Sequence, residues 1–503
     1  MTSEPTAPPE IITSPGHLWP RFLFLRALGL IFFSAFYSLA FQIYGLIGER
    51  GILPARDYLS QVANALGALE RFWYAPTILW LGAGDLALRV VVAAGLVAST
   101  LLMLNIRPRL MAGLCTILFL SCIVVLQDFS SYQSDGMLLE AGFLSVFFAP
   151  RGTFPGVGAN DPPSRLSRFM LEWEWFRIYF ESGVAKLASG DPHWRNLTAM
   201  DEYYQNGPLP SWIGWYVQHL PHWFHAGAVV FTLVVELVLV WFIFGNRRLR
   251  LVCFFIVTAL QISIIVTANY AFLNYLVLAL GFLLLDDRFL ARVGFPDVPS
   301  VERPRTLRTL FRKRVEAGVL SFTLYATVVA FFAGGPVAIL TLPARVLNPF
   351  RIANSYGLFA MMTPARYEIE FQGSRDGRTW IAYPFRYKPQ NVRERPGFFA
   401  PYQPRFDWNL WFASLEPWMA SPWVIAAEQR LVEGSPSVLE LFRRDPFNGN
   451  PPKMVRTVLS QYWFTDLTTK RRTGEWWKGR EIGPFAPPVM RGIDGTIVVG
   501  EMP

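Results

Sequence analysis

Nine apolar stretches punctuate the first two thirds of the chain, near residues 20–46, 80–104, 110–127, 136–150, 169–188, 226–245, 249–267, 271–285 and 317–334. Most have roughly the 17–25 residues that carry a helix through a bilayer's hydrocarbon core. The fourth and eighth are shorter and are expected inside the bundle rather than against lipid. A polar, proline-rich stretch, 1–19, precedes them. The apolar run that starts at Phe22 is too long for a signal-peptide core, and no small-residue cleavage site follows it, so it reads as an uncleaved first span. Beyond about residue 340 the period changes. "RYEIEFQGSRDGRTWIAYPFRY" alternates apolar and polar positions around a Ser-Arg-Asp-Gly turn, which predicts a hairpin. Scattered short strands and one helix near 435–443 are expected in the rest. The pattern predicts an α-helical polytopic membrane bundle of about nine spans followed by a soluble β-rich C-terminal domain. The divisions are a polar tail 1–19, a bundle 20–334, an extracytoplasmic domain 340–490 and a tail 491–503. No internal repeat or low-complexity tract is visible.

Composition sharpens this picture. Of the 503 residues 52% are hydrophobic and 17% charged, against about 25% charged in an ordinary soluble domain. The net charge is +9, and its placement is informative. With the N-terminus in the cytoplasm, the loops holding Arg107 and Arg109, Arg151 to Arg168, Arg247 to Arg250 and Arg288 to Arg314 all fall on the cytoplasmic side. The alternate loops are poor in basic residues, as the positive-inside rule requires. This orientation makes nine spans self-consistent and places 189–225 and everything after 335 on the non-cytoplasmic side. Much of the positive excess therefore reflects topology, and no nucleic-acid partner is implied. Cys115, Cys122 and Cys253 all lie in apolar runs and read as small core side chains rather than a disulfide framework.

The fifth span, "LEWEWFRIYFESGVAKL", carries Glu174, Arg177, Glu181 and Lys186. Charges at bilayer depth cost roughly 2.5–3.5 kcal/mol each on insertion scales, so each needs a partner or a cavity. Glu174, Arg177 and Glu181 have the i, i+3 and i, i+4 spacing that lets them neutralise one another along one helix face. Asp135 with Glu140, Asp85 with Arg89, and Glu236 add charges in or near the spans. Two readings stand: an ion-pair network that holds the bundle in register, or a polar cavity open to the outer side. Lys186 is the only lysine in the first 312 residues. It ends its span and can snorkel to the interface, yet lysine differs from arginine in that desolvation can make it a base. His193, His219, His222 and His225 follow, but their spacing drifts around a helix and Pro221 interrupts it. They fit an interfacial belt with Trp212, Trp215 and Trp223 better than a metal site. No nucleotide, nucleophile-elbow or zinc motif is present, and no cofactor is called for.

Taken together, "GLIGERGILPA" (45–55), "SDGMLLEAGFLSVFFAP" (134–150), "WFRIYFESGVAKLASGDPHWRNLTAMDEYYQNGPLP" (175–210), "TANYAFLNYLVLAL" (267–280), "NSYGLFAMM" (354–362), "RFDWNLWFA" (405–413), "NPPKMVR" (450–456) and "GEWWKGREIG" (474–483) resemble the lipase maturation factor family. The likeness covers nearly the whole chain in the same order. It implies a chaperone-like membrane protein, without turnover of a small molecule, whose partners are a secreted lipase or another secreted client protein and the lipid bilayer. It also implies residence in the endoplasmic reticulum, as in the family's animal members, or in the inner membrane if the host is bacterial. The aromatic run Trp408, Trp411 and Phe412 becomes a candidate client-binding patch, or else part of the core of a cysteine-free domain. A fainter likeness, over roughly a dozen residues, reaches the vitamin K-dependent gamma-carboxylase: Gly183, Val184, Lys186, Leu187, Asp191 and Trp194 match a stretch whose lysine is a catalytic base. That likeness implies, as the alternative, an enzyme using Lys186 on a quinone or lipid. Asp191, His193, Trp194 and Arg195 are outer-loop candidates.

Overall fold

The computed structural model describes residues 11–12, 16–130, 132–301, 307–332 and 338–502. Of the expected polar tail, residues 1–10 and 13–15 lie outside the described residues. A helix occupies each of the nine apolar stretches: α1 (Leu18–Ala40), α2 (Asp85–Met103), α3 (Pro108–Val125), α4 (Gln133–Phe148), α5 (Arg165–Ala188), α6 (His222–Leu237), α7 (Arg247–Thr267), α8 (Leu273–Gly281) and α9 (Leu307–Phe331). Local chemistry sets their starts. Pro108 opens α3 where its missing N–H is not needed. The Ser164 side chain accepts from the Ser167 N–H at the head of α5, and Asn246 accepts from Arg248 and Leu249 at the head of α7.

Among the described residues, six helices are long and apolar enough to cross a membrane: α1, α2, α3, α6 with its continuation to Phe244, α7, and Leu310–Phe331 within α9. Length and composition thus support six of the about nine spans expected. The physical reason lies in the other three. α4 has 16 residues and is buried along almost its whole length. α8 is short and buried. α5 is long but buries Glu172, Glu174, Arg177, Glu181 and Lys186. These three lie in the interior of the bundle, as do large parts of α1 and α3, whereas α6, α7 and α9 are mostly exposed. Helices α1 and α2 approach closely because Gly95 leaves room for the Phe36 ring, which any Cβ there would overlap.

The C-terminal region mixes sheet with helix. Strands β1 (Arg366–Ser374), β2 (Ile381–Ala382), β3 (Met454–Phe464), β4 (Trp477–Arg491) and β5 (Ile497–Val499) form one antiparallel sheet in the order β2-β1-β3-β4-β5. The hairpin expected around Ser-Arg-Asp-Gly is present. Gly373 faces Ile381, and the Asp376 carboxylate accepts from the Arg378 and Thr379 N–H groups. Its second strand is only two residues long, whereas β1 pairs along its full length with β3 on its other edge, Arg366 opposite Tyr462 through Ser374 opposite Met454. Two expectations are corrected. The helix placed near 435–443 is a single turn, Pro436–Leu439. The main helices are α10 (Arg405–Ala413) and α11 (Trp423–Glu433), the latter stopped by Gly434 at φ 71° and unable to continue through Pro436. In addition β5 extends the sheet into what reads as a tail after 491. The core between sheet and helices is aromatic: Phe371, Phe385, Phe406 and Phe442 pack ring against ring.

Candidate functional site

The intramembrane charges gather where α4 and α5 meet the first residues of the C-terminal region. Arg177 on α5 donates to Glu140 on α4 and to the backbone carbonyl of Asn354. Glu140 also accepts from the Tyr356 hydroxyl at 2.8 Å and from the Asn354 side chain at 3.0 Å. Glu181 accepts from the Tyr356 N–H at 2.7 Å. The expected neutralisation of Glu174, Arg177 and Glu181 along one face of α5 is therefore replaced by pairing across elements. All three are buried, and Arg177 pairs with the equally buried Glu140 on α4. Glu174 is fully buried and faces the Ala141 backbone of α4 rather than Arg177. Asp135 turns away from Glu140 and takes both guanidinium nitrogens of Arg405 on α10, at 2.7 and 2.8 Å, with neither residue exposed. Asp85 and Arg89 do not pair with each other: Asp85 accepts from the Glu49 N–H and Arg89 donates to the Tyr44 hydroxyl.

Lys186 is 2% exposed, which excludes snorkelling to an interface. Its ammonium donates to Glu236 on α6 at 2.9 Å and to the Leu358 carbonyl at 2.8 Å, above the Trp194 ring. Leu358 belongs to a strap, residues 354–363, that turns at 358–361 and runs along the C-terminal half of α5. The outer-loop residues fasten the same strap. Trp194 donates its indole N–H to the Phe359 carbonyl at 3.1 Å, and Asp191 accepts from the Met362 N–H at 2.6 Å. Burial opposes ionisation of Asp191, but hydrogen bonds from Met362 and from the His193 backbone and ring outweigh it and hold the carboxyl below its ordinary range. Arg195 points elsewhere, to the Leu187 carbonyl. The remaining histidines diverge. His219 bridges the carbonyls of Trp215 and Thr465, His222 meets Asp201, and His225 is buried beside Tyr204. Trp215, expected in an interfacial belt, is fully buried and donates to the Trp476 carbonyl of the C-terminal region.

The strap separates two cavities. One, of about 340 Å³, lies in the bundle and is lined by Lys186, Glu236 and side chains of α5, α6 and α7. The other, of about 430 Å³, lies at the junction with the C-terminal region and is lined by Tyr132, Met361, Trp408, Trp411 and Phe412 among others. The aromatic run thus sits on one helix at this junction. Trp408 is buried against Tyr132 and Tyr270, Trp411 donates to the Asn206 carbonyl, and Phe412 stacks on Tyr132 with part of its ring exposed. Of the three, Phe412 is the one with substantial exposed surface.

Arg405, Asn354, Tyr356 and Arg366 carry this junction, and none stands out as a site residue in the sequence. Arg366 is fully buried and donates to the backbone carbonyls of Gln205, Gly207 and Pro208. One signal was available. Helices α4, α5 and α6 hold the acids Asp135, Glu140, Glu172, Glu174, Glu181 and Glu236 against the bases Arg165, Arg168, Arg177 and Lys186, so further cations had to come from elsewhere. The stretches 134–150, 175–210, 354–362 and 405–413, far apart in sequence, all converge here.

Comparison with known proteins returns one family. Residues 19–292 match the lipase maturation factor transmembrane domain and residues 352–487 the lipase maturation factor C-terminal domain. Lipase maturation factor 1 of Bos taurus is 31% identical over 528 residues, covering 97% of this chain and 94% of the relative. Lipase maturation factor 2 of Gallus gallus is 32% identical over 592 residues, covering 95% and 83%. Lipase maturation factor 1 of Homo sapiens is 31% identical over 525 residues, covering 97% and 92%. No solved structure matches.

Proposed function

Because the chain belongs to the lipase maturation factor family, we propose that it is an integral membrane protein that assists secreted lipases to reach their active fold. The observation that carries this reading is the unbroken likeness through both the bundle and the C-terminal region. The protein acts as a binding scaffold rather than a catalyst. A base must be free to accept a proton, and the Lys186 ammonium is already committed to Glu236 and to the Leu358 carbonyl. The relatives found give the gamma-carboxylase alternative no support.

The finer features belong to the same proposal. The bundle, 20–334, crosses the membrane nine times with its N-terminus in the cytoplasm, α4, α5 and α8 being interior spans that their neighbours shield from lipid. Region 340–490 then faces the non-cytoplasmic side, where a secreted client folds: the lumen of the endoplasmic reticulum, or the outer side of a bacterial inner membrane. Lys186, Asp191 and Trp194 position the 354–363 strap, and Phe412 with the rim of the junction cavity contacts the client. Deleting the gene and measuring both the mass and the activity of secreted lipase tests the reading. Lower activity per molecule at similar mass is the expected result. Lower mass with unchanged activity per molecule would mean transport rather than maturation.

A further inference from the structure

We propose that the 340 Å³ cavity between α5, α6 and α7 is a binding site for an uncharged lipid that carries a free hydroxyl, of the monoacyl- or diacylglycerol class. Its volume falls within the roughly 300–1,000 Å³ of small-molecule sites. Its walls are mostly hydrocarbon and aromatic: Ile178, Phe224, Phe231, Leu260, Ile264 and Val277. Such a lining offers an alkyl chain what the bilayer offers and gives a water-soluble ligand almost nothing.

The polar chemistry at its end selects the headgroup. Glu236, 9% exposed, spends Oε1 on Lys186, while its buried Oε2 has no hydrogen-bond partner among the described residues. A buried carboxylate oxygen left unpaired is costly, and a hydroxyl donor satisfies it. Lys186 makes two hydrogen bonds, and an ammonium carries three N–H groups. The third is free to reach an ester carbonyl. The ion pair sums to zero charge, so neither a fatty-acid anion nor an alkyl ammonium gains a net Coulombic attraction. A neutral molecule that offers one donor and one acceptor on an alkyl body matches all of these features. Entry comes from the membrane side. Phe224 and Phe231 line the cavity and are themselves partly exposed on α6, a helix long and apolar enough to face lipid.

The test uses the full chain purified in detergent and photo-crosslinking with three diazirine probes: an oleoylglycerol, oleate and oleylamine. The oleoylglycerol probe should label peptides of α6 and α7, be competed by unlabelled diacylglycerol, and outrun both charged probes. Ala228→Trp, which fills the cavity from α6, should reduce that labelling at least about tenfold, the equivalent of 1.4 kcal/mol. Ala228→Leu serves if the tryptophan variant does not elute as folded protein. Glu236→Gln removes the counter-charge of Lys186, and labelling by oleate should then rise above that by oleoylglycerol. Labelling that is unaffected by filling the cavity, or equal competition by oleate in the parent protein, would overturn the proposal. The readout is independent of lipase activity, so this result and the maturation reading stand or fall separately.

Discussion

Removing one side of the Asp135–Arg405 pair is the sharpest perturbation the structure offers. Two hydrogen bonds of 2.7 and 2.8 Å join the pair, both residues are fully buried, and Arg405 also donates to the Phe129 carbonyl at 2.8 Å. Asp135→Asn keeps the volume and one acceptor but leaves a guanidinium charge without a counter-ion. Arg405→Met keeps much of the aliphatic length and leaves the carboxylate alone. Breaking a buried pair in this way costs about 3–5 kcal/mol, whereas replacing both members by groups of similar volume is often close to neutral. If the two side chains were independent, the double variant would therefore lose about 6–10 kcal/mol. If they act as one pair, Asp135→Asn with Arg405→Met should lose no more than either single change. The assay is the thermal midpoint of the intact protein in detergent, read by loss of the monodisperse peak on size exclusion after heating. Limited proteolysis reports in parallel whether α10 has left the bundle. Strictly additive losses in the four proteins of this cycle would refute the argument that this pair fastens the C-terminal region to the membrane helices.

Four further outcomes can be checked. Lys186→Ala leaves Glu236 buried without its cation and should destabilise by about 3–5 kcal/mol, with most of the loss recovered in Lys186→Ala with Glu236→Ala; thermal midpoints check this, and an unrecovered loss would deny the pairing. Burial raises the Glu428 carboxyl to about 9, so the folded chain holds a proton there that the unfolded chain releases near 4.5. Stability from this group is complete below about 4.5 and declines by up to about 1.4 kcal/mol per pH unit as pH rises toward 9. Glu428→Gln should flatten that slope, and an unchanged midpoint between pH 6 and 8.5 in both proteins would contradict the assignment. Phe412→Asp should weaken capture of a secreted lipase with little change in midpoint, while Trp408→Ala should cost about 3–5 kcal/mol through its buried ring; pull-down and thermal midpoint measured together separate the two effects. Reporter fusions after residues 215, 300 and 345 check the proposed topology, and a cytoplasmic signal at 345 would reverse it.

The bundle was legible in the sequence because long apolar runs have a single physical explanation, and each of the nine runs is a helix. Charge was legible in location but not in pairing. Spacing along α5 pointed to partners three and four residues away, whereas Arg177 found Glu140 on α4 and Asp135 found Arg405, which is 270 residues distant. Periodicity within an element carries no information about such contacts. The helix α11 left a readable trace, with Val424, Ala427 and Leu431 at helical spacing and Gly434 as its stop, but prolines and tryptophans on both sides favoured a reading as strand and loop. The aromatic run at 408–412 shows a different limit. Composition announced a surface, and the fold spent Trp408 on packing and left Phe412 outside.

The distance between Asp135 and Arg405 along the chain also sets a timetable. Ribosomes add roughly 5–20 residues per second, so α4 enters the membrane on the order of 15–50 s before its counter-ion has been synthesised. Throughout that interval Asp135 lacks Arg405, and Glu140 waits for Asn354 and Tyr356 as well. Until the C-terminal region arrives, these carboxylates lack the partners that the folded chain gives them. A message cut short anywhere before residue 405 yields helices that can insert and yet cannot finish assembling, which makes late nonsense changes as damaging to the membrane half as to the region they remove.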